Sequence, residues 1–215
     1  MDVGLFINKI GMEHVESGMN CQDYGFVGED SSYICDGCSA GKHSEVGAKL
    51  FCHLKQTTSY DIEKIFHMLC GIVGEKGSWK QDFLSFTILQ MTETAEDFVV
   101  NYCGDGYIIL QDIEGNIIFE ELTDGEYPKY YIYNYIDQEK LRHYKEGVDF
   151  SQKSFSKKTY TKVGIASDGL RFILRADDGL KQEFIDYLQS GKEMRTKLFI
   201  NRNHKIFRDD ITIIF

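Results

Sequence analysis

Asp97-Phe98-Val99-Val100-Asn101-Tyr102-Cys103 runs through Gly104-Asp105-Gly106 into Tyr107-Ile108-Ile109-Leu110-Gln111. Two apolar runs of strand length are parted by three residues, too few for a helix. Strands that follow one another this directly imply antiparallel β-structure. Working outward, the pattern repeats. Phe83 to Met91 reads as a strand before this pair, and Asn116 to Glu121 as one after the Glu114-Gly115 turn. Tyr130 to Tyr135 and Thr159 to Ala166 add two more, and Ile211-Thr212-Ile213-Ile214-Phe215 closes the chain as a buried strand. Toward the N-terminus, Val3 to Ile7, Asp23 to Val27 and Ser32 to Cys35 read as strands. A polar loop carrying His14, Asn20 and Gln22 lies between the first two.

Helical spacing begins at Ser44, where Val46, Leu50 and Leu54 recur every four residues beside Ala48 and Phe51. A second helix places Ile62, Ile65, Phe66, Leu69 and Val73 on one face, and the two are expected to pack as a pair. Asp178 to Leu188 and Lys192 to Asn203 also read as helices, the second with Met194, Leu198 and Phe199 as its apolar face. The expected class is α+β, with two antiparallel sheets and helices on the outside.

A chain of 215 residues with one proline, Pro128, and no low-complexity stretch fits one domain over 1–215. No apolar run is long enough to span a membrane, and the first residues lack a basic segment followed by an apolar one. No membrane association or export is therefore expected, and a cytoplasmic setting is. The net charge of -10 argues against nucleic acid as a partner. The six cysteines are scattered, and Cys35-x-x-Cys38 has no second ligand pair, so buried thiols are the better reading than zinc. Phosphate loops of the cysteine-dependent, Walker A and G-x-G-x-x-G kinds are all missing, and so is any histidine cluster.

Gly37-Cys38-Ser39-Ala40-Gly41 matches the Gly-x-Ser-x-Gly nucleophile elbow, with His143 or His204 as partners for Ser39. That fold alternates strands with helices around a parallel sheet, whereas here strands follow strands. The more telling pattern is one of acids. Tyr33-Ile34-Cys35 leads into Asp36-Gly37, and Tyr102-Cys103-Gly104 into Asp105-Gly106. Ile165-Ala166-Ser167 leads into Asp168-Gly169, and the last strand starts from Asp209-Asp210. Each Asp-Gly is also a hairpin signal, and that reading stands beside the functional one. If a sheet brings these ends together, oxygen-only ligands suit Mg²⁺ or Mn²⁺.

Together these stretches resemble the metal-dependent protein phosphatases of the protein phosphatase 2C family. The motifs fall in the family's order: Asn20-Cys21-Gln22-Asp23, Cys35-Asp36-Gly37, Gly104-Asp105-Gly106, Ser167-Asp168-Gly169-Leu170 and Asp209-Asp210-Ile211-Thr212. The resemblance covers Gly11 to Phe215 and implies an antiparallel β-sandwich flanked by helix pairs. It implies a serine/threonine phosphatase with two Mn²⁺ or Mg²⁺ ions and a looser third. Asp36 would bridge two metals, the Gly37 carbonyl would bind the second, and Asp168 and Asp209 would hold the first. Asp23 would hydrogen-bond metal-bound water, and Asp105 would help the third ion. The water bridging the two ions would attack phosphorus directly.

The chain departs from the family in three places. The family's phosphate-anchoring Arg near the first motif has no counterpart between residues 10 and 30, where His14 becomes the substitute anchor and Lys9 lies nearby. Gly-His-Gly becomes Cys38-Ser39-Ala40-Gly41, and Gly-Asp-Ser-Arg becomes Gly104-Asp105-Gly106-Tyr107. The resemblance is to a compact bacterial branch, with Tyr127 to Lys158 where the family varies its substrate flap. Expected partners are a phosphoprotein substrate and a cognate serine/threonine kinase. A non-catalytic binding module and a hydrolase of small phosphoesters are the alternatives.

Overall fold

The computed structural model describes residues 4–123, 127, 129–137 and 141–215. The chain opens with β1 (Phe6–Lys9), α1 (Met12–Ser17), β2 (Asp23–Val27) and β3 (Ser31–Asp36). Three helices follow: α2 (Ser44–Thr57), α3 (Ile62–Val73) and α4 (Gly77–Leu84). Then come β4 (Ile88–Glu93), β5 (Asp97–Cys103), β6 (Gly106–Asp112) and β7 (Ile117–Leu122). A 3₁₀ turn at Tyr131–Tyr135 precedes β8 (Ser151–Ser156) and β9 (Tyr160–Ala166). A second 3₁₀ turn, Asp168–Leu170, runs into α5 (Arg171–Leu174), then α6 (Asp178–Gln189), α7 (Glu193–Arg202) and β10 (Ile211–Ile214).

The strands form two five-stranded antiparallel sheets, ordered β1-β10-β9-β6-β7 and β2-β3-β4-β5-β8. Strands β5 and β6 do not pair with each other. Gly104-Asp105-Gly106 carries the chain from one sheet to the other rather than round a hairpin. Gly104 takes φ 106°, where a side chain is strained, and a Cβ there would meet Thr87 at 2.7 Å. A larger residue would break the crossing.

Side-chain alternation builds four layers. Ile34, Leu89, Val100, Ile108, Ile165 and Ile214 fill the space between the sheets. The outer face of one sheet presents Tyr33, Cys35 and Phe86 to Phe51, Ile65 and Phe66 of α2 and α3. The outer face of the other presents Ile109, Ile211 and Ile213 to Phe184, Leu188 and Phe199 of α6 and α7. Burying one such aromatic completely is worth roughly 1.5–3 kcal/mol, so both helix layers are held mainly by their rings.

Several expected elements differ. Phe83 and Leu84 end α4 instead of starting a strand, with Leu84 fully buried and Gly47 of α2 packed against the Phe83 backbone. Tyr130 to Tyr135 is not a strand. Its turn sets Tyr131 and Tyr135 on one side, with ring centroids 4.9 and 5.8 Å from Phe66. Ring pairs of this kind add about 0.5–1.5 kcal/mol each beyond burial, enough to override strand propensity in a short segment. Strand β8 lies in the unread flap region, where Pro128 and residues 138–140 lie outside the described residues. The first strand begins at Phe6, and Val3 also lies outside them. On α7 the buried residues are Thr196, Phe199 and Ile200, while Met194 and Leu198 face solvent. On α2 the buried face is Gly47, Ala48, Phe51 and Cys52, and Val46 is exposed.

Candidate metal centre

The same alternation that fills the sandwich also delivers the acids. On β3, Ile34 points between the sheets, so Asp36 two residues on does too. Asp23 faces Asp36 across the β2–β3 register. On β9, Val163 and Ile165 point inward and Ser167 continues the series; on β10, Ile214 and Thr212 lead back to Asp210. At this end of the sandwich the apolar series gives way to carboxylates and hydroxyls. A Cβ at Gly169 would lie 1.9 Å from the Asp210 carbonyl oxygen, so only glycine lets the β9 exit pass this close to the last strand.

Asp36 is the centre of the group. Its carboxyl lies within hydrogen-bonding reach of Asp23 and Asp168. Burial, then the charges of Asp23, Asp168 and Asp209, push its pKa well above the usual carboxylate range. Burial raises Asp23 to about 7, although hydrogen bonds from Ser167 and Thr212 oppose the rise. The Ser167 hydroxyl donates to Asp23 Oδ2 at 2.6 Å, while Asp23 Oδ1 is buried with no partner. Burial also raises Asp168, to about 6, against the favourable charge of Arg171. Asp105 is raised by burial as well, and the Arg171 and Asp209 charges reach it. Asp23, Asp36, Asp105, Asp168 and Asp209 therefore share one electrostatic neighbourhood drawn from both sheets.

The fold is matched among solved structures. A bacterial serine phosphatase superposes with TM-score 0.64 at 14% identity, covering 97% of this chain and 94% of that one. The serine/threonine phosphatase Stp1 from Staphylococcus aureus gives 0.58 at 15% identity, covering 97% and 92%. The catalytic domain of the serine/threonine protein phosphatase PstP, solved with two manganese ions, gives 0.54 at 13% identity, covering 97% and 94%. This chain has the protein phosphatase 2C-like fold. The sequence matches no family model and no curated protein. At these identities the likeness establishes the protein phosphatase 2C-like architecture and nothing finer.

On that fold, two further residues matter, Asp210 and Arg171. Asp210, not Asp209, is buried: it accepts from the Gly11 amide at 2.7 Å and from the Gln22 amide, and pairs with His14 Nδ1 at 2.9 Å. His14 is thus 7% exposed and clasped to the last strand. Asp209 faces the cleft instead, where Arg171 Nη2 reaches its Oδ2 at 3.2 Å and Nη1 reaches Asp168 Oδ2 at 2.7 Å. Sequence reasoning passed over Asp210 and Arg171. The inward alternation Asp210-Thr212-Ile214 was the signal for the first, and the three-residue spacing from Asp168 the signal for the second. Ser39 is exposed, and both sheets are antiparallel, so the nucleophile-elbow alternative loses its frame.

Among the described residues, no group of three or more His, Cys, Asp or Glu side chains is placed to hold a metal ion. The donors nonetheless fit a hard divalent cation. They are all oxygens, they repel one another when ionised, and one buried oxygen, Asp23 Oδ1, has no donor.

Proposed function

We propose that the chain is a metal-dependent phosphatase of phosphoserine and phosphothreonine in proteins, working by direct attack of water. The observation that carries this reading is the convergence of Asp23, Asp36, Asp168 and Asp209 from both sheets at one end of the sandwich. It is supported by solved serine/threonine phosphatases of the same fold, one of them with two manganese ions. Asp36 and the Gly37 carbonyl would hold two Mn²⁺ or Mg²⁺ ions, Asp168 and Asp209 would complete the first, and Asp105 would serve a third. When bound, such ions lower the pKa of water and offset the charge of a phosphoester, which carries about -1.5 to -2.

The chain's own groups do the positioning. Ser167 fixes Asp23 through Oδ2 and leaves Oδ1 without a donor, so that oxygen would be the one to accept a hydrogen bond from a water held by such ions. Asp210 and His14 tie the 11–22 loop to β10 and so hold Asp23 at the cleft, which makes His14 a positioning residue in this reading rather than the phosphate anchor. Both sheets share one core, which supports one catalytic unit over 1–215. Among the described residues no helix is long and apolar enough to cross a membrane. All six cysteines are thiols, which fits a cytoplasmic setting, and a phosphatase of phosphoserine and phosphothreonine would oppose a serine/threonine kinase.

A catalytically weak binding module is the second reading, favoured by Arg171 lying where Asp168 and Asp209 would need a cation. Phosphopeptide hydrolysis decides between them. The expected result is release of phosphate with Mn²⁺ that stops with EDTA; no release with any divalent ion overturns the enzyme. Para-nitrophenyl phosphate turned over while phosphopeptides are refused would instead indicate a small-phosphoester hydrolase.

A further inference from the structure

Arg171 is the one cation joined to both carboxylates of this end, Asp168 and Asp209, among the described ion pairs. It opens α5 directly after the Asp168–Leu170 turn, so its backbone is tied to the element that presents Asp168. Its guanidinium lies over the Phe172 ring at 5.1 Å, and its charge also reaches Asp105. The side chain keeps 33% of its surface exposed, so its guanidinium is reachable from solvent. A guanidinium does not give up its proton, so this charge is permanent.

The oxygens that Arg171 holds are the ones a divalent cation would need. A cation and the guanidinium are both positive, so a metal a few ångströms away on the same carboxylates is opposed by Arg171. We infer that Arg171 exchanges places with metal. In the metal-free protein it holds Asp168 and Asp209 together; once those oxygens bind a divalent cation, its fork turns outward and grips the substrate phosphate. The five N–H donors of a guanidinium match two phosphoryl oxygens in a bidentate pair, which an ammonium or an imidazole does not reproduce. No arginine or lysine lies between residues 10 and 30, and Arg208, which packs against this segment, is already paired with Glu13. This inference rests on the proposed phosphatase reading for the phosphate, though not for the metal competition.

Arg171→Ala, Arg171→Lys and the wild type separate the two. Each protein is stripped with EDTA and titrated with Mn²⁺ by calorimetry, then titrated with inorganic phosphate in saturating Mn²⁺. Arg171→Ala is expected to bind Mn²⁺ at least ~5-fold more tightly, since the competitor is gone. It should also lose phosphate affinity by about 10-fold and raise KM for a phosphopeptide more than it lowers kcat. Arg171→Lys should keep part of the competition and fail to restore phosphate affinity. Unchanged or weaker Mn²⁺ binding in Arg171→Ala overturns the exchange, and unchanged phosphate affinity overturns the anchor. If Arg171→Ala does not fold, Arg171→Gln, which keeps two donors without the charge, carries the same expectations. An inactive wild type that still shows both binding shifts removes the phosphatase and leaves the exchange standing. An active wild type whose Arg171→Ala variant binds like it does the reverse.

Discussion

Two groups of acids stand side by side at one end of this sandwich, and their surroundings differ. Asp210 is saturated: two backbone amides and the His14 ring meet its two oxygens. Asp23, Asp36 and Asp168 are starved by comparison: they face one another, Ser167 and Arg171 meet only one oxygen of Asp23 and of Asp168, and burial lifts all three above the usual carboxylate range. A buried carboxylate surrounded by donors fastens a fold, whereas buried carboxylates facing carboxylates hold their protons to higher pH and mark a candidate functional site. Residue type does not separate these roles; the inventory of donors does.

The contrast breaks first at Asp36. Asp36→Asn should cut Mn²⁺-dependent phosphopeptide hydrolysis by more than ~10²-fold in steady-state assays while the metal-free protein melts no lower, because a repelling charge has been removed. Asp210→Ala should do the opposite and act on the fold. Stranding His14 and two amides costs about 3 kcal/mol or more, a fall of roughly 6–12 °C in Tm by thermal melt.

Acidity sharpens the comparison at smaller scale. In EDTA the starved acids are raised by burial above the ordinary carboxylate range, Asp168 to about 6 and Asp23 to about 7. Their stabilisation of the metal-free fold is complete below pH ~4 and is lost as pH rises through 6 and 7. The metal-free protein should therefore melt several degrees lower at pH 8 than at pH 5, and Mn²⁺ at pH 8 should recover the difference. A Tm that is flat with pH in EDTA would show the acids are not starved. Smallest of all, Ser39→Ala should leave turnover within about twofold, as an exposed loop change of this kind does.

Much of this was legible in the chain. The near-continuous apolar runs Tyr33-Ile34-Cys35 and Ile211-Thr212-Ile213-Ile214 announce strands buried on both faces, and the ordered Asp motifs mark their common end. Partition between sheets was not legible, because Gly104-Asp105-Gly106 has the composition of a hairpin and the geometry of a crossing. Helix α4 was hidden because its apolar residues cluster at its C-terminal turn, where Phe83 and Leu84 merge with the following strand. Asp209 and Asp210 look interchangeable in sequence; only the packing of residues 11–22 against β10 tells them apart.

The crossing at Asp105 has a mechanical meaning. Asp23 and Asp36 hang from one sheet, Asp168 and Asp209 from the other side of the gap, and Asp105 from the thread that joins them. The cleft is a seam. Sliding one sheet by a single residue, about 3.3 Å, would exceed the ~2 Å reach of a metal–oxygen bond. An ion bound there would rivet the sheets together, so a shear that loosens the sandwich should release metal while each sheet is still intact.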